Sequence, residues 1–242
     1  MHASDDLAAA PPILETTALS VLSPRGASIL VDDLRLQAGE LHLVHSPTTG
    51  HSTALADALL GLAGAGEVRF LGLAWADLDA AEASLDAAEA SRLRSRIGRV
   101  MSAGNWLENR SVMENLLLPL RHQTVLAEEI IRQRASELAL SFGLPGIPTL
   151  LPHQCSESDL ERAACVRAFL GRPKLVVLEQ PIEATESRSF PPLVNAVQQL
   201  RRRRGSIIWF TQQRSLLEEP GISADRRYRI AGSRLLQLEA TP

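Results

Sequence analysis

Apolar residues in this chain fall in short uninterrupted runs, and helical patterns separate them. The densest run lies in Lys174–Pro181, KLVVLEQP, where Leu175, Val176, Val177 and Leu178 follow Pro173 and lead into Glu179 and Gln180. A short run with no polar face predicts a strand buried on both sides of a parallel sheet. Upstream, LSVLS and SILVDDLRLQAGE predict short strands between Ile13 and Glu40, and Gly39-Glu40 marks a turn before a strand at Leu41–Val44. HSPTTGHSTALADALLGL then reads as a loop running into a helix, and Gly66–Gly72, GEVRFLG, as another strand.

Residues 78–91 are LDAAEAS written twice. Seven residues make about two helical turns, so the repeat lengthens an Ala- and Glu-rich helix without turning its face much. Further along, Ile97–Met101 predicts a strand, SAGNWLENR a loop, and the chain to about residue 150 is mainly helical. A helix over Ser156–Leu170, the strand at 174–179, a helix over Pro191–Arg203 and a strand at Ser206–Thr211 follow. DRRYRIAGSRLLQLE closes the chain as a hairpin turning at Ala231-Gly232. Alternating strands and helices predict an α/β fold with a mostly parallel sheet and a helical insertion.

Composition changes this picture little. The 242 residues are 45% hydrophobic and 22% charged, which suits one packed domain behind a loose polar tail at residues 1–12. A net charge of −3 gives no general case for nucleic acid as a partner. The basic run Arg201–Arg204 reads as a solvated last turn of a helix. The two cysteines, Cys155 and Cys165, lack metal-ligand spacing and are expected to be structural thiols in a reducing compartment. No apolar stretch reaches membrane-spanning length, and MHASDDLAAAPP lacks the pattern of a signal peptide. A cytoplasmic chain is expected, one that reaches a membrane only by docking on another subunit.

Candidate chemistry gathers at two places. Ligands of open α/β sheets bind outside the carboxyl ends of the strands, where Glu179 and Gln180 stand, and an acid at that place can hold Mg²⁺. The second place is Gly50-His51-Ser52-Thr53, between a strand and a helix. A phosphate-binding loop there is GxxxxGK[ST], whose backbone amides wrap phosphates while its Lys reaches them and its Ser/Thr binds the metal. Here His51 has the Lys position. The first glycine falls on His45 by direct count, or on Ser46 in a loop one residue shorter, which the position of Gly39-Glu40 favours. Ser52 and Thr53 keep a hydroxyl for Mg²⁺ and helix N-terminal amides for an anion. The alternative is a former phosphate loop serving only as a tight turn.

On these residues the chain resembles the ATP-binding-cassette (ABC) ATPases, over roughly residues 15–238. The resemblance implies a P-loop NTPase fold: a mostly parallel sheet core, an N-terminal antiparallel portion and an inserted helical subdomain. It implies one domain over 13–238, with a nucleotide-binding core at 13–96 and 172–238 and the helical subdomain at about 97–171. The family's acid-acid-proline ending after the buried strand falls on Glu179, Gln180 and Pro181, so an amide replaces the catalytic Glu. The signature LSGGQ falls on Cys155, Ser156, Glu157, Ser158 and Asp159, with Arg162, Arg167, Ala168 and Pro173 in register behind it. The loop glutamine falls on Ser102, the switch histidine on Gln212, and the acid after the Pro181 turn on Glu186. The adenine-stacking aromatic is missing from SPRGAS before Ile29.

Altered together, these positions imply weak or absent hydrolysis. A general base is worth about 10²–10⁴ in rate, and Gln180 cannot take a proton. ATP and Mg²⁺ are the cofactors the resemblance implies, and the replaced residues argue against their ordinary use. Leu118–Leu126, LPLRHQTVL, is similar to a segment of MCE-type (Mla-like) phospholipid transporter ATPases, with Pro119, Leu120, Arg121, Thr124 and Leu126 matching. The implied partners are a membrane permease subunit, at the inner face of the cell membrane, and a second ATPase chain, either a copy of this one or an intact relative. A competing reading is a partner-assisted ATP hydrolase using Glu179 with Glu183 or Glu186. Another is a soluble regulator free of any transporter.

Overall fold

The computed structural model describes residues 11–23, 26, 28–79, 86–102, 104–182 and 187–239, with backbone alone at 78, 79 and 86–88. The first residues of the expected tail, the middle of the tandem repeat, Glu183, Glu186 and part of SPRGAS lie outside them.

The chain begins with β1 (Leu14–Leu22) and β2 (Ser28–Leu36), paired antiparallel, then β3 (Leu41–His45) and α1 (Thr49–Leu59). After these come β4 (Ala65–Phe70), β5 (Leu73–Ala74), α2 (Trp75–Asp79), α3 (Asp86–Arg94) and β6 (Ile97–Val100). The helical stretch is α4 (Val112–Gln123), α5 (Glu128–Ser141) and α6 (Glu157–Phe169). The chain returns to the sheet with β7 (Leu175–Glu179), α7 (Phe190–Arg202) and β8 (Ser206–Thr211), and ends in the hairpin β9 (Arg226–Ala231) and β10 (Arg234–Leu238).

All ten described strands form one sheet, ordered β5-β4-β1-β2-β10-β9-β3-β8-β7-β6. From β9 to β6 every pairing is parallel. At the other end, β1 pairs antiparallel with both β2 and β4. This is the expected mixed architecture. The alternation of side chains along β7 divides the core. Leu175 and Val177 pack with α1 and the N-terminal strands, while Val176 and Leu178 pack with α6 and α7. Their neighbours on β8 divide the same way, with Ile208 and Phe210 on the first side and Ile207 and Trp209 on the second.

Gly39 turns the chain into β3 with φ of +91°, a conformation that glycine adopts without a Cβ penalty. At Gly98 the requirement is space. A Cβ there would land on the carbonyl oxygen of Ala168, so α6 lies directly against β6.

The helical stretch carries its own small core, with Leu117, Leu120, Ile131, Ala135 and Leu170 buried together. Leu120 therefore faces inward, between α4 and α5. Ser111 and Glu114 form a capping box at the start of α4. Asn115 gathers the preceding loop, accepting from the Leu107 amide at 2.8 Å and donating to the Leu107, Arg110 and Ser111 carbonyls.

One reading needs correction. Arg201, in the basic run, is tied into the fold: its Nε donates to the Gly39 carbonyl at 2.8 Å and its Nη2 pairs with Asp225 at 2.8 Å. Arg202, Arg203 and Arg204 are exposed, as expected of a solvated turn.

Candidate functional site

The loop from β3 to α1 is short. His45 ends the strand, and the Ser46 amide extends the ladder by donating to the Thr211 carbonyl at 2.8 Å. Pro47 has no amide to offer, and Thr48 caps α1, its Oγ1 accepting from the His51 amide at 3.3 Å. That amide, which would face a phosphate in a working loop, is taken by a side chain. The His51 Nδ1 is buried with no hydrogen-bond partner among the described residues. Ser52 is fully buried, its hydroxyl aimed back at the Thr48 carbonyl at 3.5 Å.

Behind the loop lies an ion network that the sequence reading did not foresee. Glu179, fully buried, accepts from Thr53 Oγ1 at 2.7 Å through one oxygen and from Arg99 Nε at 2.5 Å through the other. Arg99 Nη1 reaches Asp57 of α1 at 2.6 Å. Burial alone would lower the Arg99 pKa, but the hydrogen bonds to Glu179 and Asp57 outweigh it and hold the guanidinium above its ordinary value. Arg99 comes from β6, opposite Val177 of β7, and reaches the α1 face.

At Glu179 this arrangement opposes a magnesium ion. Mg²⁺ requires near-ideal octahedral oxygen geometry and is usually held by one or two carboxylates with water and phosphate. Glu179 offers neither oxygen free of a close donor, and one of those donors is a cation. Among the described residues, no group of three His, Cys, Asp or Glu side chains could hold a metal.

In front of the loop, an open cleft of about 910 Å³ separates the carboxyl ends of the parallel strands from the helical stretch. It brings together Ser102, Glu157, Gln180 and Gln212, with Thr49 and Trp106 beside them. Gly50, His51, Ser52, Thr53 and Glu179 do not line it. Gln180 has φ of +48°, a left-handed conformation uncommon for a residue with a Cβ, and its Oε1 accepts from the Gln212 amide at 2.9 Å. The Gln212 Nε2 donates to Thr49 Oγ1 at 2.6 Å.

The signature-like residues are occupied locally. Ser156 caps α6 by accepting from the Asp159 amide at 3.1 Å, the Ser158 hydroxyl accepts from Arg162, and Asp159 pairs with Arg162 at 3.3 Å. Arg167 stacks over Trp106, 4.5 Å from the ring centroid, which fixes one wall of the cleft.

Solved structures share this fold over most of the chain. The dimeric ATP-binding cassette MJ0796, in a post-hydrolysis state bound to ADP and phosphate, superposes with a TM-score of 0.75 over 94% of this chain and all of its own, at 20% identity. The fold is that of an ATP-binding cassette. No protein-family profile matches the chain. In sequence, this cassette resembles the ATP-binding subunits of ABC transporters. It is 27% identical to the intermembrane phospholipid transport system ATP-binding protein MlaF of Haemophilus influenzae, over 73% of this chain and 66% of that protein. It is 24% identical to the L-cystine transport system ATP-binding protein TcyN of Escherichia coli, over 77% and 75%. It is 29% identical to the oligopeptide transport ATP-binding protein OppF of Salmonella typhimurium, over 73% and 53%. With MlaF and OppF the match covers less than two thirds of the relative's length.

The segment resembling phospholipid-transporter ATPases is largely used inside the fold. Pro119 lies within α4, the Thr124 hydroxyl donates to the Leu120 carbonyl at 2.8 Å, and Arg121 forks onto Glu128, with Nε to Oε2 at 2.9 Å. The Arg121 hydrogen bond pulls the Glu128 carboxyl down to about 2. Val125, beside them, is fully exposed.

Proposed function

We propose that this cassette is the ATP-binding-cassette subunit of an ABC transporter, that it docks on a membrane permease subunit, and that its ATP hydrolysis is weak or absent. The observation that carries the reading is Gln180. An amide stands where the general base would be, and its Oε1 is already accepting from the Gln212 backbone. The Thr48 side chain on the His51 amide and the arginine on Glu179 weigh the same way.

The helical stretch, about residues 97–171, is the proposed docking element, within a single domain over 13–238. It presents the exposed apolar side chains Leu107, Val125, Ile130 and Leu150 on a well-packed base. Similarity to MlaF and the segment around Arg121 favour a lipid transport system of the MCE type. Relatives of cystine and oligopeptide transport systems match over similar lengths of this chain. The cleft that holds Ser102, Glu157 and Gln212 faces outward and is the proposed meeting surface for a second cassette, either a copy of this one or an intact relative. No helix among the described residues is long and apolar enough to cross a membrane. A peripheral place on the cytoplasmic side, held by the permease, is the proposed location.

The test is MgATP binding by calorimetry and phosphate release from the purified chain, with His51→Lys alongside, and co-purification with a co-expressed permease. Turnover above background that His51→Ala abolishes would sink the loss of hydrolysis. Failure to co-purify would favour a soluble regulator.

A further inference from the structure

We propose that Arg99 is a resident cation standing in the charge-balancing place of a divalent metal at Glu179, so that this site is metal-independent. The inference does not rest on the loss of hydrolysis. A cassette that hydrolysed ATP slowly with a partner's help would still have to move Arg99 before a metal could reach Glu179.

Glu179 is fully buried, and a carboxylate without water must find a cation or donors, or give up its charge. Donors come from two elements, Thr53 on α1 and Arg99 on β6, one to each oxygen. Arg99 is itself only 15% exposed along its side chain and spans from Glu179 to Asp57, so its charge is shared between two carboxylates. The planar guanidinium meets one acid through Nε and the other through Nη1, a rigid fork that a lysine's compact ammonium does not reproduce. A metal ion entering beside Glu179 would meet this positive charge within a few ångströms, in surroundings that screen it poorly. The surroundings also fix Arg99 in place: it sits inside a strand between Gly98 and Val100, the latter buried, with its backbone in the parallel ladder to β7.

The full-length chain can be compared in urea denaturation as four proteins: the natural one, Arg99→Leu, Glu179→Leu, and the variant carrying both changes. Each is measured with and without millimolar MnCl₂, manganese serving as the probe for a divalent cation. Each single change is expected to lower the unfolding midpoint, and the double change to recover most of the loss. Manganese is expected to raise the midpoint of Arg99→Leu, by binding the vacated place in the folded state, and to leave the natural chain and Glu179→Leu unmoved. Arg99→Lys, which keeps the charge without the fork, is expected to fall between the natural chain and Arg99→Leu.

Losses that simply add in the double variant would overturn the coupling. Manganese raising the natural chain's midpoint through Glu179 would overturn metal independence. An Arg99→Leu midpoint that manganese leaves unmoved would reduce Arg99 to an ordinary ion-pair partner and overturn the proposal. If Arg99→Leu does not fold, the double variant tests only the coupling and Arg99→Gln carries the manganese test: a midpoint that manganese raises supports the proposal, and one it leaves unmoved overturns it. None of these measurements uses ATP turnover, so strong activity in the natural chain would remove the proposed loss of hydrolysis and leave this inference standing.

Discussion

Gln212 joins the end of β8 to the first turn of α1, its Nε2 donating to Thr49 Oγ1 at 2.6 Å. The same residue's backbone amide holds the Gln180 side chain at 2.9 Å. The Gln180 carboxamide, the Gln212 backbone and side chain, and the Thr49 hydroxyl thus form one run of hydrogen bonds beside the β3–α1 loop. Here the protein's own side chains satisfy the corner between the end of β8 and the loop before α1.

Removing these bonds should free the β3–α1 corner at small cost. Gln212→Ala is expected to lose about 0.5 kcal/mol in urea denaturation, since the bond lies at the surface. It should bind a fluorescent ATP analogue at least as well as the natural chain. Weaker binding by the variant would mean that Gln212 is itself a nucleotide contact.

Thr53 should matter through its hydroxyl. Thr53→Val keeps the shape and leaves one oxygen of buried Glu179 without its donor, which is expected to cost about 1–3 kcal/mol. Thr53→Ser should recover most of that. Equilibrium unfolding of the three proteins checks the order.

Stability should depend on pH through His42, far from the cleft. Burial pushes this histidine down to about 4, against opposing help from Glu40, whose Oε2 lies 3.2 Å from its Nε2; Arg226 lowers it further and Asp225 raises it. Its ordinary value is 6.5, so between these limits the unfolded chain binds the extra proton. Stability from the neutral buried ring is therefore complete above pH 6.5 and is lost as pH falls toward 4. The difference amounts to something on the order of 3 kcal/mol. Urea midpoints across that range should slope upward with pH, and His42→Phe should flatten the slope.

Gly98→Ala should be badly tolerated although it adds one methyl group. The new atom meets backbone, so α6 or β6 must shift. A loss of roughly 1–3 kcal/mol or more is expected, read as a lower melting temperature, because overpacking a tight contact strains the main chain.

The parallel core was legible because its strands are buried on both faces and carry unbroken apolar runs. Leu175–Glu179 and Ser206–Thr211 need no periodicity to be seen. The α6 helix was equally plain from Ser156 onward, and Ser156 proved to be its cap. The candidate site was legible only in part. Ser102, Glu157, Gln180 and Gln212 do share one cleft, though they lie far apart in sequence. Arg99 was missed, because a lone arginine in IGRV looks like the exposed side of an edge strand. The signal available was its neighbourhood: a cation on a strand flanked by a glycine and an apolar residue, in a chain whose other buried strand ends in an acid. Arg121 was read through a resemblance and Arg201 as solvated, yet both make specific pairs, because partners such as Glu128 and Asp225 are fixed by tertiary packing.

The Glu179 network also bears on how this chain can change by mutation. Breaking a buried ion pair from one side costs about 3–5 kcal/mol, a large part of the 5–15 kcal/mol that holds a typical domain together. Replacing Arg99 alone strands Glu179, and replacing Glu179 alone strands Arg99 beside Asp57. Placing Lys at position 51 or Glu at position 180 leaves the guanidinium where it is. Single steps toward a metal-dependent site therefore pass through a less stable protein. The network acts as a ratchet, keeping the lineage that carries it on one side of a valley that paired changes alone can cross.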